Sequence, residues 1–225
     1  MAFSKAFIPY RGYWSSPFSK WQGSFANLHA VETAAATGRR FFEQRKIDPA
    51  KLDNLYFGIT IPQTSIFYGG PWVAAMLGNP SITGPMIGQA CITGVVVTKL
   101  GAADVEQGIV DASLAITGDR CSNGPHIAYA SQATPGATPI SEDWVWDNFG
   151  HDPWAKNSML QTAENVAAEH EVTREQMDEV TARRYEQYAE ALADDRAFQK
   201  RYMMPIEVGR GKKAKLIEAD EGIFP

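Results

Sequence analysis

The chain has 225 residues, 44% of them hydrophobic, which is enough to bury a sizeable core in one large domain or two small ones. Its formal net charge of -5 argues against a nucleic-acid groove, which needs clustered Lys and Arg. No stretch approaches the about 18 uninterrupted apolar residues of a membrane span, and residues 1–10 lack the apolar segment of a signal peptide. Its two cysteines, Cys91 and Cys121, make no disulfide framework, so reduced thiols in a cytoplasmic protein are expected.

In chain order, residues 24–44 read as a helix. Ser24 is a candidate cap, and Leu28, Val31, Ala35 and Phe42 recur at helical spacing. Residues 54–61 (NLYFGITI) are rich in β-formers and read as a buried strand. Residues 65–78 hold Gly69, Gly70 and Pro71 before a short apolar, helix-compatible stretch. A helix is predicted over Ile92–Gln107, stopped by Gly108, and a strand over Ile109–Thr117. Helix leading into strand is an α/β arrangement. Residues 122–158 are rich in Gly, Pro, Ser, Asn and Trp without a period, and so long an irregular stretch is usually functional. Helices follow over 162–170 and 174–195, the second opened by a Thr173/Gln176 capping box. Its Met177, Val180, Tyr185, Tyr188 and Leu192 form one apolar face. In the tail, Gly209 and Gly211 suit a hairpin or loop. The basic run Arg210, Lys212, Lys213 and Lys215 reads as a solvated face.

Cys91 is the residue with the most chemical promise. It stands at a turn that opens a helix, among the small Gly88, Ala90 and Gly94. A helix start favours a thiolate and offers backbone N–H groups to an oxyanion. The plainer reading is a buried cysteine packed as a small hydrophobe. A nucleophile also needs a base, and none of His29, His126, His151 and His170 stands at a spacing from Cys91 that identifies a dyad.

Several segments resemble the thiolase family. Cys91-Ile92-Thr93-Gly94 is similar to its C-x-S-G nucleophile motif. Residues 115–125 (AITGDRCSNGP) resemble A-G-G-x-E-S-M-S-N-A-P, residues 159–167 (MLQTAENVA) resemble M-G-x-T-A-E-N-V-A, and residues 173–178 (TREQMD) resemble S-R-E-E-Q-D. Ala219, Asp220 and Glu221 match a further segment. The resemblance implies a βαβαβαββ half over residues 1–121, an inserted, largely helical and irregular loop domain covering coenzyme A over 122–215, and a return toward the core over 216–225.

It also implies Claisen condensation or thiolytic cleavage of acyl-CoA thioesters, with Cys91 as acyl carrier and Ile92, Thr93 and Gly94 supporting its turn. Met159, Ser158 and Trp154 fall where the family meets the pantetheine and acyl end. Trp144, Trp146, Phe149 and Trp154 form a cluster suited either to packing or to an unusual acyl group. No metal and no tightly bound cofactor are implied, coenzyme A being substrate or product. Departures from the motifs are Ile116, Thr117 and Asp119 for the paired Gly and Glu, Gly88 for an Asn, Leu160 for a Gly and Ser158 for a His.

The family's second half carries N-E-A-F, G-H-P-x-G and C-x-G-G-G segments, and none occurs in 121–225. The resemblance therefore implies either a complementary chain carrying the catalytic His and second Cys, within a higher oligomer, or that these 225 residues are a fragment of a longer chain that carries them. The alternatives are a non-catalytic subunit that binds CoA esters or scaffolds a thiolase, and another member of the wider superfamily. The TAENVA match favours thiolases proper.

Overall fold

A computed structural model describes residues 3–131 and 134–223. The chain divides into two compact units. The first comprises residues up to Asn123 together with the chain from Tyr202 onward, and the second comprises Gly124–Arg201.

The first unit is built on a parallel sheet. Helix α1 (Ala30–Arg45) precedes strand β1 (Asn54–Gly58), helix α2 (Gly69–Met76), strand β2 (Met86–Ile87), helix α3 (Thr93–Glu106) and strand β3 (Ser113–Thr117). The strand order is β2-β1-β3, with β1 parallel to both neighbours. The register runs from Asn54 opposite Ser113 to Gly58 opposite Thr117. Leu55 and Phe57 of β1, Val31 and Ala35 of α1, and Val73 and Ala74 of α2 have no exposed surface. Together with Phe41, Leu77, Leu114 and Ile116 they form one core, against which Trp14 stacks on Phe41 at 4.6 Å.

Helix α1 begins later than the sequence suggests. Ser24 does not cap it, because its N–H and hydroxyl are both bonded to Glu221. His29 takes that place: its Nδ1 accepts from the Val31 N–H at 3.3 Å, and its Nε2 donates to the Thr64 carbonyl at 2.7 Å. The helix closes on Lys46, whose left-handed backbone (φ 55°) turns the chain out. Both strands are shorter than their apolar runs. Beyond Gly58, residues 59–61 leave β1, and the Thr60 and Ile61 N–H groups bond to Asp119 instead. Before Ser113, the Asp111 and Ala112 N–H groups bond to the Asp53 carboxylate.

Two glycines let backbones meet. A Cβ on Gly84 would lie 1.4 Å from the Leu55 carbonyl oxygen, so only Gly lets the approach to β2 run against β1. A Cβ on Gly58 would lie 2.7 Å from the methyl groups of both Thr93 and Thr117, so Gly58 makes room for the first turn of α3. After the second unit the chain returns to the first. Met204 and Ile206 are buried, the Met204 N–H donates to the Ser15 carbonyl at 2.8 Å, and β6 (Ile206–Val208) pairs with β7 (Lys215–Ile217) in the antiparallel hairpin around Gly209 and Gly211.

The second unit is less irregular than its composition suggests. Among the described residues it holds an antiparallel pair, β4 (His126–Tyr129) with β5 (Ile140–Asp143), and the α-helices α4 (Trp146–Gly150), α5 (Met159–Glu169), α6 (Arg174–Ala191) and α7 (Ala193–Arg196). Ser158 caps α5 by accepting from the Gln161 N–H at 3.2 Å, so this helix starts three residues before the apolar periodicity begins at Thr162. Thr173 and Gln176 form the full capping box on α6. That helix ends at Ala191 rather than 195, and Asp194 and Asp195 adopt left-handed backbone just after it. Neither α5 nor α6 has a buried residue; the apolar face of α6 stays open, with Met177, Val180 and Tyr185 exposed. No helix among the described residues is long and apolar enough to cross a membrane.

Candidate active site

Cys91 lies in a single 3-10 turn (Ala90–Ile92) that leads directly into the 14-residue α3. The preceding Ala90 has φ 45°, a left-handed conformation costly for a residue with a Cβ. The chain thus makes a sharp elbow between β2 and α3, with the thiol at its apex. Cys91 is free and exposed, so it is not the packed core cysteine of the plainer reading.

Thr93 holds the elbow together. It is buried. Its hydroxyl accepts from the Gln89 N–H at 2.7 Å and donates to the Ala90 carbonyl at 2.8 Å, bonding both sides of the strained residue. Ile92 is exposed, and Gly94 has open space where a Cβ would stand. Gly88 is required by closeness, since a Cβ there would sit 2.9 Å from the Ile59 carbonyl oxygen.

A second layer lies behind the elbow. The Thr60 hydroxyl is 3.1 Å from the Thr93 hydroxyl and 3.4 Å from the Ala90 carbonyl. Thr60 is itself clamped by Asp119, whose two carboxylate oxygens accept from the Thr60 N–H at 3.1 and 3.0 Å while one also accepts from the Ile61 N–H at 2.9 Å. Asp119 keeps an exposed edge, but desolvation of its carboxylate dominates and raises its pKa, the Ile61 and Thr60 bonds pulling the other way. Burial also pushes the Cys121 thiol up, with the charge of Asp119 and the proximity of Cys91 adding to it. Thr60 and Asp119 carry no motif of their own. The signal that could have found them is position: each follows the C-terminal end of a parallel strand, where sites of α/β proteins gather.

No histidine in the first unit is available as a base, because both ring nitrogens of His29 are committed to capping α1 and to Thr64. His126, His151 and His170 belong to the second unit. There His126 lies 3.5 Å from Asp143, while His151 and His170 end α4 and α5. Of the residues expected at the pantetheine and acyl end, Ser158 serves as the α5 cap, Met159 is 48% exposed and Trp154 is 93% exposed. A separate open depression of about 630 Å³ is lined by Trp146, Asp147, Asn148, His151 and Pro153, and those three residues are not part of it. Among the described residues, no cluster of His, Cys, Asp and Glu could hold a metal ion.

The sequence profile of the thiolase N-terminal domain matches residues 14–225. The chain belongs to the thiolase N-terminal domain family. Among curated thiolase relatives it is 26% identical over 210 residues to a mitochondrial acetyl-CoA acetyltransferase of Gibberella zeae, a match covering 92% of this chain and 48% of that protein. To the acetyl-CoA acetyltransferase of Schizosaccharomyces pombe it is 27% identical, covering 92% of this chain and 53% of the relative.

Solved thiolase structures share the fold. The Bacillus anthracis acetyl-CoA acetyltransferase superposes with a TM-score of 0.77 at 23% identity, covering 92% of this chain and 52% of that one. Human mitochondrial 3-ketoacyl-CoA thiolase, solved in complex with CoA, gives 0.75 at 22% identity, covering 92% and 51%. The chain spans about half the length of the curated relatives it matches.

Proposed function

We propose that this chain is the nucleophile-bearing half of a thiolase, transferring acyl groups between CoA thioesters through an acyl-enzyme on Cys91. The observation that carries the reading is the exposed thiol at the Ala90 elbow, fixed by Thr93 at the start of α3. The Cys91 sulfur attacks the thioester carbonyl carbon. The bond from that carbon to the CoA sulfur breaks, CoA leaves as a thiol with the proton given up by cysteine, and an S-acyl Cys91 remains. The helix start supplies N–H groups for the oxyanion. A deprotonated α-carbon of a second acyl-CoA then displaces Cys91 to give a 3-ketoacyl-CoA, and thiolysis is the reverse.

That proton transfer needs an acid/base group, which we assign, with the second cysteine, to a complementary half. Open apolar residues support this requirement: Phe7, Tyr10, Phe67 and Val95 of the first unit are all more than 60% exposed. On the same reading, residues 122–215 include the cover over coenzyme A, with Met159, Ser158 and Trp154 toward the pantetheine and acyl end, and the complete enzyme assembles further as an oligomer. Two free thiols suit a reducing compartment such as the cytoplasm. A second reading, a non-catalytic subunit that binds CoA esters, is favoured by the commitment of His29 to structure.

The test is to incubate the assembled protein with acetyl-CoA or a 3-ketoacyl-CoA, quench it, and weigh the cysteine peptides. An acyl mass on the Cys91 peptide, abolished in Cys91→Ala together with nearly all turnover, is the expected result. An adduct on Cys121 alone, or none in an active assembly, defeats the reading.

A further inference from the structure

Asp119 stands behind the elbow without touching it. Its carboxylate spans the N–H groups of Thr60 and Ile61, and this clamp sets where the Thr60 side chain points. The Thr60 hydroxyl then faces the Ala90 carbonyl and the Thr93 hydroxyl, the two groups that define the strained turn before Cys91. We propose that Asp119 is a positioning residue for the Cys91 thiol, acting through Thr60 and Thr93 to hold the Ala90 elbow in its left-handed conformation. The inference rests on Cys91 being the nucleophile and adds the group that aims it.

The physical argument is one of strain. A left-handed alanine relaxes toward ordinary backbone unless its surroundings over-determine it. Thr93 supplies two bonds from within the turn. Thr60 supplies the contact from outside, and the Asp119 clamp holds the Thr60 and Ile61 N–H groups just past the point where the Ile59 N–H makes its bond to the Ile87 carbonyl. The segment that residues 115–125 resemble carries Glu where this chain has Asp119, so a carboxylate is the shared feature and its reach is what differs.

Asp119 also has an electrostatic effect on Cys121, whose thiol its charge pushes up. This gives the test two thiols with opposite expected responses. The full chain is labelled with iodoacetamide near neutral pH, and alkylation at Cys91 and Cys121 is followed separately by mass spectrometry. In Asp119→Ala, Cys91 should slow by about fivefold to tenfold, the consequence of losing a hydrogen-bonded clamp of ordinary strength, while Cys121 should speed up. Asp119→Glu should restore the Cys91 rate.

Asp119→Asn keeps the side-chain shape and loses the charge, so it guards against a misfolded alanine variant. It should speed Cys121 and leave Cys91 between the wild-type and alanine rates. Both thiols speeding up, as general electrostatics or unfolding would produce, overturns the clamp, as does a Cys91 rate unchanged in all three variants. The labelling needs no turnover. Absence of acylation at Cys91 in the wild-type assembly therefore defeats the catalytic reading by a separate measurement.

Discussion

Glu221 accepts a hydrogen bond from the Ser24 N–H at 3.0 Å and another from the Ser24 hydroxyl, joining positions 197 residues apart in sequence. The Ser19 hydroxyl adds a third at 2.7 Å. These bonds, the Ser24 hydroxyl first among them, lower the Glu221 pKa to about 2.

A carboxyl held below its unfolded value stabilises the fold above that value and ceases to do so as pH falls through the folded one. Glu221→Ala should therefore cost about 1–2 kcal/mol at neutral pH, the range for hydrogen bonds to a charged group after allowance for partial exposure. The difference from wild type should shrink between pH 4.5 and about 2. Urea unfolding midpoints at several pH values measure it, and a pH-independent difference would contradict the assignment.

Gly58 and Gly94 should respond oppositely to alanine. At Gly58 the new methyl meets Thr93 and Thr117 at 2.7 Å, so the fold should lose about 1–3 kcal/mol by overpacking. Because Thr93 is the residue pushed, acylation of Cys91 should fall as well. At Gly94 nothing stands within 4 Å, and alanine inside a helix gains up to about 1 kcal/mol over glycine. Gly94→Ala should therefore unfold no earlier than wild type while raising KM for acyl-CoA, since the methyl enters the open space three residues from Cys91, where on the proposed function the acyl-CoA arm must approach the sulfur. Thermal unfolding combined with steady-state kinetics separates the two.

The open apolar residues set a third expectation. Expressed alone, the chain should self-associate and show no thiolysis of a 3-ketoacyl-CoA. Co-expressed with a polypeptide carrying the G-H-P-x-G and C-x-G-G-G segments, it should co-purify with that partner and gain turnover. A soluble, monomeric and active lone chain would contradict the split arrangement.

Much of this was legible in the sequence for identifiable reasons. The thiolase resemblance, Cys91 at a helix start and the Thr173 capping box all rest on short, contiguous motifs. Ser24 misled because capping potential is local, whereas its actual partner, Glu221, lies at the far end of the chain. The strand over 54–61 read too long because Ile59 and Ile61 are apolar and buried, yet the Thr60 and Ile61 N–H groups turn to the Asp119 carboxylate instead of a neighbouring strand. Thr60 and Asp119 escaped attention because a pair brought together by sheet register leaves no spacing to count. The apolar residues of α6 make a pattern, but pattern alone does not tell whether a neighbour covers them, and within this chain α6 buries none of its residues.

The buried Met204 and Ile206 have a consequence for how the protein is made. Met204 belongs to the same core as Leu55 and Phe57, which leave the ribosome some 150 positions earlier, and Ile206 is buried two residues on. During synthesis β1 and α1 must therefore wait, with part of their apolar surface uncovered, until all of Gly124–Arg201 has been produced. At a few residues to about 20 residues per second, that delay is on the order of several seconds, long compared with the collapse of a domain of this size. The first unit is thus the early-translated and late-completed part of the molecule, and its exposed intermediate is the species on which chaperone binding should concentrate.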